Sequence, residues 1–217
     1  MSEIGDNISR IQAHISEAAG RAGRRAEEIT LVAVTKKKPA SAVLGALAAG
    51  ILDVGENYVQ EAAEKREQVA GGRWHLLGHL QSNKAKLAVS LFDLIESVDS
   101  VKLAEGISRQ ATQKRQAVLV QVHLGDEETK TGFAPEQALD AAAEIAALSN
   151  LRLLGLMGIA PSGTDPRPYF QQMKRLFDQL PAEHRQILSM GMSGDFESAI
   201  EEGATSVRVG TAIFGAR

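Results

Sequence analysis

Short apolar runs alternate with helical segments along this chain, and this alternation constrains the fold more than any other feature of the sequence. The runs are rich in β-branched residues, and the segments between them carry apolar residues at helical spacing or lie between proline and glycine. The predicted strands are 29–35, 52–55, 73–78, 92–98, 117–124, 151–157, 186–190 and 205–209. The predicted helices are 3–20, 39–49, 56–69, 83–90, 101–113, 135–148, 169–180 and 195–202.

The alternation predicts an α/β fold, a single (β/α)8 barrel of the TIM type with one extra N-terminal helix. A helix between two parallel strands makes a right-handed crossover, and eight such units can close a ring. An open doubly wound sheet is the alternative, but Thr35-Lys36-Lys37-Lys38-Pro39 follows the first strand where that fold has a glycine-rich turn. No linker divides the chain, so we expect residues 1–217 to form a single domain.

The composition narrows the classes of function. The 217 residues carry a net charge of −3, so there is no general basic excess for binding nucleic acid. Cysteine is absent, which excludes disulfides, thiolate-ligated metals and thiol nucleophiles. No apolar run approaches the roughly 18 residues that span a membrane, and the N-terminus does not resemble a signal peptide. We therefore expect a cytoplasmic protein that binds neither nucleic acid nor a membrane.

A lysine, Lys36, follows the first predicted strand, at the end where the active sites of such barrels lie. Alternate residues of a strand share a face, so Lys36 shares one with Val32 and Val34. If that face points inward, the amine is partly desolvated. Desolvation lowers the pKa of a lysine and leaves an amine that can attack a carbonyl. The alternative is a basic run, 36–38, in a solvated loop.

Two loops near the end of the chain predict an anion site. Ser193 follows the seventh strand, and Gly210 and Thr211 follow the eighth. The loops after these two strands commonly form a phosphate site in this fold, with backbone N–H groups and hydroxyls as donors. The alternative for Ser193 is a simple helix N-cap.

An arginine, Arg208, lies within the last predicted strand. It alternates with Val207 and Val209, which we expect to face the helices, so Arg208 should face inward. Closure of the barrel would bring it near Lys36. The alternative is a structural pair with an acid that the sequence does not identify, because an unpaired buried arginine is costly.

The histidines do not predict a metal centre. His75 and His79 are four residues apart, which is the spacing of zinc ligands on a helix. Their segment is predicted to be a strand, where four residues span about 13 Å. That distance is too long for one ion, so no metal site is expected.

Six segments together resemble the pyridoxal-phosphate homeostasis proteins, and they are similar to the N-terminal barrel domain of alanine racemase. The resemblance extends over nearly the whole chain and implies the same barrel fold. The segments are AVTKKKP around Lys36, GENYVQE at 55–61, WHLLGHLQSNK at 74–84, GLMGIAP at 155–161, SMGMSGDFESAI at 189–200 and VRVGTAIFGAR at 207–217.

The resemblance implies a site for pyridoxal 5′-phosphate (PLP). It implies that Lys36 forms a Schiff base with the cofactor and that Arg208 faces the pyridine nitrogen. It also implies that Ser193, Gly210 and Thr211 hold the phosphate.

Four further residues match positions of the family. Asn57, His79 and Met157 match residues that line the family's pocket. Lys130 matches a lysine near the mouth of that pocket, where it could take part in transfer of the cofactor.

The resemblance also bears on activity. An arginine at the pyridine nitrogen keeps that nitrogen unprotonated, so the ring is a poor electron sink. Racemases of this fold add a tyrosine from a C-terminal β domain as a second acid/base. We expect that domain to be absent here, and neither Tyr58 nor Tyr169 is an obvious replacement.

We therefore expect a monomeric, non-enzymatic protein that holds PLP on Lys36 and takes part in PLP (vitamin B6) homeostasis, with PLP-dependent apo-enzymes as possible recipients. One alternative is a PLP-dependent, racemase-like enzyme that uses Lys36 and a pocket residue such as His79. Another is a Schiff-base lyase or aldolase that acts on a phosphorylated substrate without PLP.

Overall fold

A closed barrel of parallel strands forms the centre of the molecule. The computed structural model describes residues 2–125 and 131–215. Within them each strand pairs with the next along the chain, and the first pairs with the last, so the predicted (β/α)8 barrel is confirmed. The strands are β1 (Thr30–Val34), β2 (Asp53–Glu56), β3 (Arg73–Leu76), β4 (Leu94–Val98), β5 (Gln116–His123), β6 (Leu151–Ile159), β7 (Ile187–Ser189) and β8 (Ser206–Val209).

Helices surround the strands as an outer layer. The extra helix α1 (Glu3–Arg21) precedes β1, as predicted, and a helix follows every strand in the described part of the chain. They are α2 (Ala40–Ala48), α3 (Val59–Arg66), α4 (Ala85–Leu91), α5 (Val101–Gln110), α6 (Ala138–Ala146), α7 (Arg167–Gln179), α8 (Phe196–Glu201) and α9 (Thr211–Phe214). Single 3-10 turns lie at Ala26–Glu28, Ser82–Lys84, Pro135–Gln137 and Ala182–His184.

The largest apolar core lies between the outer face of the strands and the helices. Trp74 and Leu76 of β3 point into this layer, as do Val207 and Val209 of β8. All four are fully buried, and burial of a large apolar side chain contributes roughly 1.5–3 kcal/mol. This layer therefore supplies most of the hydrophobic stabilisation of the barrel.

The extra helix α1 covers the seam where β1 meets β8. Ser2 caps its first turn, with the Ser2 hydroxyl accepting a hydrogen bond from the Gly5 amide. Its buried stripe, Ile8, Ile11 and Ile15, has helical spacing, and the helix packs against α2, α8 and α9. The helix thus holds the first and last units of the barrel together.

Several predicted boundaries differ from the structure by two or three residues, and two of them bear on the cavity. The predicted end of the sixth strand at Met157 is wrong, because β6 continues to pair with β5 through His123 and Ile159. The predicted start of the helix after β2 at Glu56 is also wrong. Glu56 remains in β2, where it pairs with Leu76, and the helix begins three residues later.

Within residues 2–125 and 131–215, no helix is both long enough and apolar enough to cross a bilayer.

Candidate functional site

A cavity of about 300 Å³ opens at the carboxyl ends of the strands, the end at which barrel enzymes and binding proteins place their sites. Its size lies at the lower end of the roughly 300–1,000 Å³ typical of small-molecule pockets. The wall combines apolar side chains with six of the residues singled out from the sequence, Lys36, Asn57, Ser193, Arg208, Gly210 and Thr211. Segments from both ends of the chain thus meet in one cavity.

Lys36 reaches the cavity because of the alternation along β1. Ala33 packs in the outer apolar layer, whereas Val34 lines the cavity, and Lys36 continues the inward face two residues later. The next residue, Lys37, has a left-handed backbone with φ of 59°. That conformation is uncommon outside glycine and forms part of the turn that follows β1.

Three buried residues, Thr35, Glu56 and Lys65, and the partly exposed Glu61 hold the chain on both sides of Lys36. We call these four residues the Lys65 cluster. The Lys65 ammonium donates to the Thr35 carbonyl at 2.7 Å, to Glu56 at 2.6 Å and to Glu61 at 2.7 Å. Glu61 in turn accepts a hydrogen bond from the Lys37 amide at 2.5 Å. These bonds fix the backbone on either side of Lys36, which limits the directions its amine can take.

Glu56 is the most enclosed acid of the Lys65 cluster. It accepts hydrogen bonds from Lys65 and, at 2.6 Å, from the Thr35 hydroxyl, both on Oε1. Among the residues that the structure describes, its Oε2 has no hydrogen-bond partner. Burial raises the pKa of Glu56, although the bonds from Lys65 and Thr35 act in the opposite direction.

Donors for an anion converge at Ser193. The Ser193 hydroxyl lies 3.3 Å from the amide nitrogen of Gly210 and 3.4 Å from that of Ala212, so two backbone N–H groups and a hydroxyl meet at one point. Both bonds are long and therefore weak. A Cβ on Gly210 would lie 3.1 Å from the Val34 carbonyl oxygen, so a side chain there would crowd β1. The arrangement offers N–H and O–H donors to a phosphate.

Arg208 forms the floor of the cavity. Its guanidinium donates from Nη2 to the Gly158 carbonyl at 2.8 Å and from Nη1 to the Ser189 hydroxyl at 2.6 Å. The Ser189 hydroxyl donates onward to Glu96 at 2.5 Å. Burial lowers the pKa of Arg208, and the charges of Glu96 and Asp195 oppose that effect. An arginine remains protonated at neutral pH, so the floor carries a positive charge.

The hydrogen bonds continue from Glu96 through the barrel interior. His75 lies between two carboxylates, with Nδ1 at 2.7 Å from Glu96 and Nε2 at 2.9 Å from Asp53. Asp53 also accepts from Arg73 at 2.6 Å, at the amino end of the barrel. We call these six residues, Arg73, Asp53, His75, Glu96, Ser189 and Arg208, the axial network.

The pKa values within the axial network depend on one another. Burial opposes a charge on His75, but the hydrogen bonds from its ring to Asp53 and Glu96 raise its pKa to about 9. Burial likewise disfavours charge on the two carboxyls, yet the bonds to His75 hold the pKa of Asp53 and of Glu96 below the ordinary value. At neutral pH the network therefore contains a protonated histidine between two carboxylates.

The remaining candidates lie elsewhere. His79 is exposed and pairs with Asp99 at 2.7 Å, and it lines a neighbouring cavity that shares Asn57 with the first. Met157 is fully buried in a small apolar cluster inside the barrel and is not among the residues lining the Lys36 cavity. Ile159, at the true end of β6, lines that cavity instead. Lys130 lies outside the described residues.

Sequence reasoning did not identify the Lys65 cluster or the acids of the axial network. The signal for Glu96 is a charged residue inside a strand whose neighbours on both sides, Ile95 and Ser97, are buried. In a parallel barrel both faces of a strand are covered, so a charge within it predicts a buried partner. The partner itself lies on another strand, and its identity depends on the barrel register.

The fold and this cavity define a class, namely barrels that place an inward lysine, a buried arginine and a set of anion donors at the carboxyl ends of the strands. The family model described as alanine racemase, N-terminal domain, matches residues 7–217. The chain belongs to this family and, within it, to the pyridoxal phosphate homeostasis proteins.

Two curated relatives support that placement. The pyridoxal phosphate homeostasis protein of Escherichia coli strain K12 is 43% identical and covers 100% of this chain and 98% of its own length. The protein of the same name from Pseudomonas aeruginosa is 44% identical, with 100% of this chain and 97% of its own length covered.

Solved structures agree with the fold. PipY of Synechococcus elongatus without PLP has a TM-score of 0.87 at 36% identity, over 98% of this chain and 100% of PipY. PipY with PLP bound has a TM-score of 0.79 at 38% identity, over 93% of this chain and 100% of PipY. An alanine racemase of Clostridium difficile shares the fold at 17% identity and a TM-score of 0.75, over 98% of this chain but only 57% of the racemase.

Proposed function

We propose that this protein binds PLP as a Schiff base on Lys36 and acts as a carrier or buffer of the cofactor without catalytic turnover. The observation that carries this proposal is the meeting of an amine, a buried guanidinium and a set of anion donors in a single cavity. Each of these matches one functional group of PLP, namely its aldehyde, its ring nitrogen and its phosphate. Relatives at about 43% identity carry the homeostasis name, and PipY has been solved with PLP bound.

Each residue has a distinct role in the proposed complex. The Lys36 amine condenses with the aldehyde, which is the chemistry that PLP supplies, and one water leaves. Ser193 and the amides of Gly210 and Ala212 bind the phosphate, with the Thr211 hydroxyl beside them. Arg208 donates to the ring nitrogen and, since it has no proton-accepting atom, keeps that nitrogen unprotonated.

The site lacks features that catalysis would need. An unprotonated ring nitrogen weakens the ring as an electron sink. Tyr58 and Tyr169, the two tyrosines of the chain, are absent from the lining of the Lys36 cavity. His79 is held by Asp99 beside the neighbouring cavity. We propose that the protein acts as a monomeric single domain in the cytoplasm, and that PLP-dependent apo-enzymes receive its cofactor.

The test compares two neighbouring lysines. Purified protein is mixed with PLP, its absorption spectrum is recorded, and the complex is reduced with borohydride and mapped by mass spectrometry. We expect a yellow Schiff-base band and a pyridoxyl adduct on the peptide that contains Lys36. Lys36→Arg keeps the positive charge but abolishes band and adduct, because a guanidinium does not condense. The matched control Lys37→Arg retains both.

Two outcomes would contradict the proposal. An adduct that persists in Lys36→Arg would remove Lys36 from the site, and a colourless protein trapped only with a phosphorylated carbonyl substrate would favour a lyase. Turnover is tested separately by solvent deuterium exchange into amino acids. Exchange by the wild type that disappears in Lys36→Arg would show a racemase-like enzyme.

A further inference from the structure

The arginines at the two ends of the axial network fix the direction of the hydrogen bonds there. Arg208 can only donate, so its N–H points to the Ser189 oxygen, and the Ser189 hydroxyl must then donate to Glu96. At the other end Arg73 can only donate to Asp53. Carboxylates at both of these positions leave the two ring nitrogens of His75 as donors. The hydrogen bonds therefore run inward from both arginines, and each series ends on a carboxylate, Glu96 at one end and Asp53 at the other.

The charges of the network alternate along the barrel. Reading from the cavity, Arg208 is positive, Glu96 negative, His75 positive and Asp53 negative, and these four are at most 6% exposed. Glu96 is the buried counter-charge of Arg208, and the Ser189 hydroxyl bridges the two side chains by hydrogen bonds. Asp195 is the other carboxylate that favours the charged form of Arg208.

We propose that Glu96, Ser189 and His75 are positioning residues for the cofactor: they fix the Arg208 guanidinium at the cavity floor so that the bound ring nitrogen meets only N–H donors. This inference rests on the proposed function and extends it. His75 keeps Glu96 ionised, Glu96 orients the Ser189 hydroxyl, and that hydroxyl presents its oxygen to Arg208. Residues that do not line the cavity thus act on the ring nitrogen through Arg208, which does line it.

The geometry distinguishes this role from a purely structural one. Charged clusters at the amino end of such barrels commonly serve stability. The axial network begins there, at Arg73 and Asp53, but it ends on a side chain that lines the cavity. Its last link, Ser189, contacts Glu96 on one side and Arg208 on the other, so removal of one hydroxyl disconnects Arg208 without removing a charge.

Adjacent strands provide a matched pair of buried serines for the test. Ser189 of β7 and Ser206 of β8 are register partners, and both are at most 3% exposed. In the described part of the chain the Ser206 hydroxyl has no hydrogen-bond partner, whereas the Ser189 hydroxyl has two. Ser189→Ala therefore breaks the network, and Ser206→Ala removes an equivalent hydroxyl outside it.

The first measurement needs no cofactor. Exchange of the Arg208 guanidinium protons with water is followed by NMR in full-length protein labelled with ¹⁵N-arginine, with signals assigned by their loss in Arg208→Lys. We expect Ser189→Ala to accelerate exchange about tenfold, the effect of losing one hydrogen bond to a charged group. Ser206→Ala should leave the rate within about twofold.

The second measurement follows the pKa of His75, which contacts Glu96 on the side away from Ser189. Glu96→Gln keeps the shape of the side chain and removes its charge, so the pKa of His75 should fall from about 9 toward its ordinary value of 6.5, as read from the imidazole signals.

In protein loaded with PLP labelled at the ring nitrogen, wild type and Ser206→Ala should show an unprotonated nitrogen at pH 7. Ser189→Ala, which releases Arg208 from Glu96 and keeps every charge of the network, should show partial protonation.

The outcomes separate this proposal from the proposed function. Equal exchange in the two serine variants, an unchanged pKa of His75 in Glu96→Gln, or an unprotonated ring nitrogen in every variant would overturn the positioning role. If wild type binds no PLP, the proposed function fails, while the exchange rates and the pKa of His75 still decide whether the network holds Arg208.

Discussion

The two faces of the barrel strands differ in chemistry, and β3 shows both within four residues. Trp74 and Leu76 point outward into the apolar layer beneath the helices. On the other face His75 lies inside the barrel and Arg73 at its exposed amino end, and both join the axial network. The outward face stabilises the fold through buried area. The inward face holds charges that are connected through Glu96 and Ser189 to Arg208 at the cavity. Single substitutions in one strand can therefore test the two faces separately.

Trp74→Ala should have the largest effect on stability. The side chain is fully buried, and its indole N–H donates to the Gly71 carbonyl at 3.0 Å, so truncation leaves a cavity and an unpaired acceptor. We expect the free energy of unfolding in urea to fall by about 3–5 kcal/mol. Protein that remains folded should still form the PLP adduct on Lys36. A loss below about 1 kcal/mol, or a folded protein without adduct, would contradict the division between the faces.

The inward face should make stability depend on pH. The folded protein binds the His75 proton with a pKa of about 9, against an ordinary value of 6.5. The contribution of about 3 kcal/mol is therefore complete below pH 6.5 and is lost as the pH rises through 9. Urea unfolding between pH 6 and 10 measures this slope.

Two variants of β3 provide the controls for that slope. His75→Gln should flatten it, because the titrating group is removed. Trp74→Phe, which changes only the outward neighbour, should retain it. An identical slope in wild type and His75→Gln would show that another group causes the pH dependence.

Arg73→Ala should have the smallest effect. The Arg73 side chain is 62% exposed, and solvent screens its pair with Asp53. We expect a loss of no more than about 1 kcal/mol in urea unfolding and no change in adduct formation. A loss as large as that in Trp74→Ala would mean that the amino end of the axial network carries much of the stability.

The same contrast explains how much of the molecule could be predicted from the sequence. The barrel was predictable because each strand and helix carries its own local pattern, and the outward valines of β8 repeat that pattern. Lys36 and Arg208 were predictable as inward residues from alternation alone. The predicted strand ends were less accurate where the pairing of neighbouring strands continues beyond the apolar run, as at Glu56 of β2 and Ile159 of β6.

The contacts inside the barrel could not be predicted in this way. Glu96 meets Arg208 through Ser189, and these three residues come from β4, β8 and β7. Which side chains share a level inside a barrel depends on the stagger between strands, and β4 carries an irregularity between Ile95 and Val98. No pattern within one segment contains that information.

Closure of the ring has a consequence for how the protein acquires its cavity during synthesis. Lys36 lies in the first βα unit and Arg208 in the last strand, and β1 meets β8 with Val32 opposite Arg208. A chain still emerging from the ribosome has the lysine but not the arginine or the anion donors. The complete cavity can form only after β8 has paired with β1, so ligand capture would require a closed ring.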